Sequence, residues 1–533
     1  MALQKKLWIR GTVWAVLWGC LAGTAEAAVP LAVSSLPRVV RQEGITEAAG
    51  EIIFTATAAG TTAATAVLTV RLQPAVSITN NRVAPQFPIT LTGDVAAVLS
   101  ISNVSGSALT ITVPAGTPFA EGSEFRLRGL RLNVAATDVT FPAAISVQVS
   151  AAPAGVFSFQ NNLAPVAFPQ AALAASGAAA TAILPASAPL LECAPNQTPS
   201  GSGAVNVVTP GSLPPGATAF RAVATENFAA AFTTAASFLI GDERTATNTT
   251  EVTNGTRLLV RVTNLPPGLT LFAPGRVDST LGGLPATSST LRLALVKGTD
   301  ANGAAGTPVT GGEDAVTAFA RFTPAADGSA LIVYQVAQAA PGLIETAAIP
   351  IAVTNAVSPG LGEAMASLAL GPLSALDSSS ATEPIVRFAD RPVRGAALRV
   401  ISCRTNLLFS WVTNQGGFDA GLAISNTSRD PFNTATQRGS ITLHFFGMNA
   451  PSSPLVTPVV EAGTTYTAVL STIAPGFQGY IIAVAGFQFA EGFAFLSNGA
   501  GQPGGPTLAT SYVPTVLPDV TALGARLPAP GSQ

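Results

Sequence analysis

The chain has 533 residues, a formal net charge of −2, 10% charged residues and 48% hydrophobic ones. So sparse a charge leaves no basic field to hold a phosphate backbone or an anionic lipid surface, which argues against nucleic acid as a partner. The hydrophobic fraction separates the chain from disordered sequences, and at about 100–200 residues per domain the length divides into about three domains, each able to bury a core.

Lys5, Lys6 and Lys297 are the only lysines, so arginine carries nearly all the positive charge while Ser, Thr, Asn and Gly wet the surface. A chain rich in Thr, Val and Gly suits strands, because β-branched side chains pack well on a pleated sheet and lose rotamer freedom in helices. The expected fold is all-β: several antiparallel β-sandwich domains, immunoglobulin-like or similar, following a signal peptide.

Residues 1–27 read as that signal peptide. Lys5, Lys6 and Arg10 precede the apolar run "GTVWAVLWGCLAG", and Ala25-Glu26-Ala27 offers the small residues that a signal peptidase reads. The run falls short of the about 20 apolar residues of a membrane span. Cys20 raises acylation as an alternative, although the bulky Trp18 fits a lipoprotein cleavage site poorly. No later stretch is long and apolar enough to span a bilayer. Cleavage before Ala28 leaves Cys193 and Cys403, which either pair, tying the start of one module to the start of the next, or remain as two buried thiols.

Residues 28–163 read as the first sandwich. In "LSISNVSGSALTITV" Leu99 and Ile101 alternate with Ser100 and Ser102, a turn falls at Ser105-Gly106, and Leu109, Ile111 and Val113 alternate with Thr110 and Thr112, the pattern of a hairpin with one dry face. "FRLRGLRLNV" places Phe125 and Leu127 inward and Arg126 and Arg128 outward, with a bulge expected at Gly129. Residues 164–190, "PVAFPQAALAASGAAATAILPASAP" and its flanks, lose periodicity and read as an Ala/Pro-rich linker with room for a short helix over Gln170 to Ala175.

Residues 191–402 form a second β-rich block, in which "TRLLVRVTNLPPGLTLFAP" reads as strand, Pro-Pro-Gly turn and strand. Residues 403–514 differ in composition: Tyr466, Tyr480 and Tyr512 fall here with Trp411, the sole tryptophan outside the first 27 residues. "GSITLHFFG" places Ile441, Leu443 and Phe445 on one face of a strand and Thr442, His444 and Phe446 on the other, so that both faces are expected to be covered. Residues 515–533 read as a Pro-rich tail.

His444 is the only histidine, so histidine-rich zinc sites cannot be built, and without a Gly-x-Ser-x-Gly elbow its place on a strand beside Phe445 favours packing over a catalytic triad. Nothing around Lys297 matches a phosphate loop. A pair of catalytic carboxylates needs only two acids brought together, and Glu43, Glu47 and Glu51, Asp242-Glu243 and Glu313-Asp314 are the acidic groups available to a glycoside hydrolase, although such acids more often solvate loops. Calcium suits loop oxygens better than zinc does, and "TDANGAAGTPVTGGED" offers Asp300, Asn302, Glu313 and Asp314 without EF-hand spacing.

Aromatic rings that stack on sugar faces make Trp411, Tyr466 and Tyr480 the candidates for glycan contact, against the alternative of core packing. In "VTNQGGFDAGLAISNTS" the groups Asn414, Gln415 and Asp419 form a further candidate site; ordinary turn chemistry accounts for them equally, with Gly416 and Gly417 at the turn, Asp419 and Asn426 bonding nearby backbone, and Leu422 and Ile424 returning into a core.

The stretches "CRTNLLFSWVTNQGGFDAGLAISNTSRDPF" and "APGFQGYIIAVAGFQFAEGFAFLSNG" resemble a recurring C-terminal module of an uncharacterised family of secreted bacterial β-rich proteins, over Cys403 to about Pro514, a fifth of the chain. "RQEGITEAAGEIIFTA" looks like the opening of such proteins. The resemblance implies an exported β-rich protein and brings no activity, cofactor or catalytic residue. Relatives often carry cysteine where Ala485 stands and histidine where Glu491 stands. If Cys403 pairs with that cysteine in the relatives, here it is free or pairs with Cys193, and no metal chemistry carries over to position 491. The expectation is an exported, non-catalytic surface, matrix or adhesion protein that binds a glycan or cell-envelope component, with a carbohydrate-binding accessory protein, calcium-assisted, as the alternative.

Overall fold

The computed structural model describes residues 28–80, 88–176, 180–185, 189–192, 205–207, 218–239, 252, 254–279, 290–355, 359–375, 386–432, 434, 436–498 and 508–517. Residues 1–27, expected as a signal peptide and including Cys20, lie outside these residues, as do Cys193 and Asp242-Glu243. The regular secondary structure of the described chain is nearly all strand, arranged as successive sandwiches, as the composition leads one to expect.

In the first sandwich a five-stranded sheet runs Phe157–Asn161, Val29–Leu36, Glu51–Ala56, Glu124–Arg128, Thr90–Gly93. It faces a six-stranded sheet of Arg38–Arg41, Leu163–Gln170, Ile145–Ala152, Ala66–Gln73, Ala108–Val113 and Ser100–Ser105. The alternating positions read from the sequence close the core between them: Phe125, Leu127, Leu109, Ile111 and Val113 are buried, and Phe54 stacks on Phe125 at 4.4 Å. Arg126 and Arg128 point outward to Glu51. Gly129, at φ +77°, is not a bulge within one sheet. It ends the strand, and Arg131–Leu132 then pairs with Glu47–Ala48.

The stretch expected as a linker supplies strands instead. Leu163–Gln170 is integral to the first sandwich, antiparallel to Ile145–Ala152 and parallel to Arg38–Arg41. Pro165 sits where the register shifts, so its missing N–H interrupts no ladder, and small Ala164 and Ala167 are buried. Leu173 bridges Glu226 rather than entering a helix. Ala182–Leu184 and Leu190–Leu191 belong to the second sandwich, and Thr515–Leu517, read as tail, pairs with Thr405–Thr413.

The second sandwich places Ala182–Leu184, Thr218–Thr225, Thr346–Asn355, Leu269–Pro274, Ala318–Phe322 and Val205–Val207 in one sheet. The facing sheet carries Leu190–Leu191, Val393–Ile401, Gly362–Gly371, Arg257–Thr263, Ala330–Gln338, Arg292–Lys297 and Arg276–Asp278. The Pro-Pro-Gly turn therefore carries the chain between sheets rather than closing a hairpin. "NFAAAFTTAASF" contributes one helical turn, Ala235–Phe238, capped by Thr234.

The first two sandwiches are joined by buried polar groups on the segment Arg41–Glu47. The Arg41 guanidinium bonds Glu47 at 2.8 Å, donates across the junction to Thr233 Oγ1 (3.0 Å) and Thr256 Oγ1 (3.3 Å), and lies 5.1 Å from the Phe388 ring centroid. Arg131, fully buried, donates to Thr46 O and to Phe238 O and lies 4.5 Å over the Phe238 ring. Glu43 accepts from Ala172 N at 3.0 Å, and burial pushes its carboxyl up. Removing one member of a buried pair strands the other charge. Arg41→Ala is expected to lower stability by about 3–5 kcal/mol and to split a joint calorimetric transition of the first two sandwiches into two. Arg41→Met with Glu47→Leu, which buries no charge, is expected to restore most of the loss.

Candidate functional site

The C-terminal sandwich pairs a sheet of Leu455–Val456, Ile441–Met448, Gln478–Ala485, Thr405–Thr413 and Thr515–Leu517 with one of Thr465–Val469, Asp419–Asn426, Ala490–Ser497 and Ala509–Tyr512. Strand alternation sends Ile441, Leu443, Phe445, Ile481 and Ala483 into the core and turns Thr442, His444, Phe446, Tyr480 and Ile482 to the outer face. That face is open, contrary to the covering expected from its apolar content: Phe446 is 42% exposed and Tyr480 41%. The two sit in register on adjacent strands, with rings stacked at 5.0 Å and 16°.

Trp411, 48% exposed, joins the same level from the next strand. The register of Thr405–Thr413 against Gln478–Ala485 shifts between Phe409 and Val412, so Ser410 and Trp411 both reach solvent opposite Tyr480. Tyr512 holds this bulge, its hydroxyl donating to Trp411 O at 2.8 Å. Trp411, Tyr480 and Phe446 thus form a row across three neighbouring strands, with Met448 exposed beside them. Phe446 was visible in the sequence only as an outward strand position. Tyr466, grouped with Trp411 and Tyr480 from composition, instead packs against the core, and its partial burial raises its phenol pKa.

The polar cluster beside the row is a lashing. Asn414 and Asp419 bond each other at 3.1 Å; Asn414 Oδ1 accepts from Gly476 N (2.8 Å), and Asp419 Oδ1 accepts from Ala420 N and Ser471 N. Gln415 donates to Gly476 O at 2.6 Å. The turn over Gly416 and Gly417, at φ +63° and +82°, does not close a hairpin; it carries the chain from one sheet to the other, and its side chains fasten it to the segment 471–476. Asn426 is buried and bonds Gln437 O, Val460 O and Ser428, reaching further than a local turn. On the opposite sheet Phe493 and Phe495, also exposed, flank a groove of about 500 Å³ whose floor, Gly421 and Ala423, lacks bulk.

The residues expected to hold calcium do not converge. Glu313 pairs with Lys297 at 2.6 Å, Asp314 with Arg292, and Asp300 accepts from Ala304 N at 2.7 Å, a backbone environment that depresses its carboxyl despite some desolvation. Among the described residues no group of three or more His, Cys, Asp and Glu side chains could hold a metal ion. The acids considered for hydrolysis are likewise occupied: Glu43 and Glu47 lie in the junction between sandwiches, and Glu51 is between Arg126 and Arg128. His444 is half-buried on the outer face beside Phe446, opposite Ile482. A cation at the 300–314 loop would have to displace Lys297 and Arg292, so millimolar Ca²⁺ or chelator is expected to leave the melting temperature unchanged.

Glu226 and Glu345 form a buried acid pair that sequence spacing could not reveal. Glu226 accepts from Phe232 N (2.6 Å) and Glu345 N (3.0 Å), while Glu345 accepts from Ala340 N and leaves its other oxygen without a partner. Burial, reinforced by repulsion from Glu345, pushes Glu226 up to about 7 from 4.5. Between these values the unfolded carboxyl ionises while the folded one keeps its proton. Stability present below pH 4.5 is therefore lost by pH 7, by about 3 kcal/mol at most. Melting temperature is expected to fall over that interval, and Glu226→Gln to remove that slope whatever its absolute stability.

No protein-family model matches the chain, and no curated protein matches it significantly. Among solved structures, the C-terminal domain of the Streptococcus pyogenes antigen I/II-family protein AspA has a TM-score of 0.28 at 8% identity, over 69% of this chain and 99% of that one. The C-terminal domain of the Streptococcus agalactiae antigen I/II polypeptide BspA has 0.26 at 8%, over 64% and 95%. The full-length major pilin SpaD of Corynebacterium diphtheriae has 0.22 at 8%, over 91% and 90%. Superpositions this loose establish no shared activity. The described chain is a multidomain β-sandwich protein, and none of its described helices is long and apolar enough to cross a membrane.

Proposed function

We propose that the protein is exported and acts, without catalysis, as a surface, matrix or adhesion component whose C-terminal sandwich makes contact through the row Trp411, Tyr480 and Phe446. The observation that carries the reading is the exposure of three aromatic side chains at one level of a sheet whose other face has a full core. Large rings left in water raise the free energy of the isolated domain, and such patches commonly mark interaction surfaces. Export is supported by the basic and apolar pattern of residues 1–27 and by the low-charge, hydroxyl-rich composition.

A second reading gives the row a glycan as ligand. It is favoured by the stacked, exposed rings of Phe446 and Tyr480, which offer apolar faces to a pyranose, with the exposed Ser410 at the bulge opposite Tyr480. The full mature chain is to be tested for retention on insoluble polysaccharides and on envelopes of the producing cell, beside Trp411→Ala, Tyr480→Ala and Phe446→Ala. Each variant removes an exposed ring, so melting temperature is expected to be little changed while retention falls by tenfold or more, about 1.4 kcal/mol per decade. Loss on a glycan establishes the second reading, and loss on envelopes alone the first. Binding unaffected by all three substitutions would remove the row from both.

A further inference from the structure

Cys403 is buried and disulfide-bonded, and the chain holds two other cysteines, Cys20 in the segment read as a signal peptide and Cys193. The described residues bring the approach to Cys193 alongside the approach to Cys403. Leu190–Leu191 runs parallel to the end of Val393–Ile401 in the register Leu190 to Val400 and Leu191 to Ile401, and Glu192 N donates to Ile401 O at 3.0 Å. In the sequence Cys193 stands two residues beyond Leu191 and Cys403 two beyond Ile401, the same number past the paired level. Cys193 itself lies outside the described residues.

We propose that Cys193 and Cys403 form a disulfide that closes the second sandwich at its base and carries tension past it. As the S–S bond forms, the two thiols lose two protons and two electrons; these pass by thiol–disulfide exchange to the disulfide of an extracytoplasmic oxidoreductase, which leaves as a dithiol. The strands from Val205–Val207 to Val393–Ile401 all lie between the two cysteines. A pull on the two ends of the protein enters from the first sandwich, crosses the covalent bond and leaves through Thr405–Thr413, so those strands are never extended. The clamp at Arg41 and Arg131 joins the first sandwich to Thr233, Phe238, Thr256 and Phe388, all inside the bypassed loop. The staple is independent of what the aromatic row binds.

The test uses the mature full-length chain with no substitution. Digestion without reduction is expected to yield one peptide linking Cys193 to Cys403. Single-molecule extension to the fully unfolded chain is expected to gain contour length on adding dithiothreitol, by the about 210 residues released, about 750 Å at up to about 3.6 Å per residue. A covalent dimer, alkylation of both thiols in the denatured unreduced protein, or equal contour lengths with and without reductant would each overturn the proposal.

Discussion

Two arginines withdrawn from water fix how the first two sandwiches meet. A guanidinium in a protein interior keeps its charge, so every donor must find an acceptor before the surrounding apolar surface can close. Arg41 spends its donors on Glu47 and on Thr233 and Thr256 across the junction, and Arg131 on backbone carbonyls of both sides, with Phe238 and Phe388 covering the planes. Because these bonds span two cores, neither sandwich can move without uncovering a charge. The pairing couples the two sandwiches through buried charge.

The C-terminal sandwich handles polarity differently. Its amides Asn414, Gln415 and Asn426, the Asp419 carboxylate and the buried Ser428 hydroxyl tie loops to loops. With the turns fastened in this way, the outer face of the larger sheet is free to carry side chains that contribute nothing to the core. Trp411 is in solvent because of a one-place shift in register, held by the Tyr512 hydroxyl from the other sheet. A single backbone irregularity therefore completes a row whose other members, Tyr480 and Phe446, follow from plain alternation.

Much of the strand content was legible residue by residue. Leu109, Ile111 and Val113 alternate with threonines and are buried as expected, because a half-buried strand writes its period of two directly into the chain. Leu163–Gln170 was hidden because alanine and proline have too little contrast to mark an inward face, and its prolines are tolerated only where a register shift or an edge frees them from donating. Of the candidate surface, Trp411 and Tyr480 could be picked out as aromatic, but the same argument selected Tyr466, which packs inward. Nothing local distinguishes the three, since exposure depends on which face each strand turns toward its partner sheet.

By itself the sequence determined the all-β class, the inward sets of the longer strands, the turns at glycine and Pro-Pro-Gly, and the exclusion of metal sites that need two or more histidines, because each of these follows from local periodicity, backbone freedom or simple inventory. Only the tertiary structure decided that sequence neighbours on either side of Gly416 and Pro266 belong to opposite sheets, that Arg41 and Glu47 are buried, that Glu226 meets Glu345, and that Asp300, Glu313 and Asp314 are consumed by backbone amides and cations. These are pairings between residues distant in the chain. Their energies depend on burial and on the partner across a sheet or a domain junction, and neither is encoded in any short stretch.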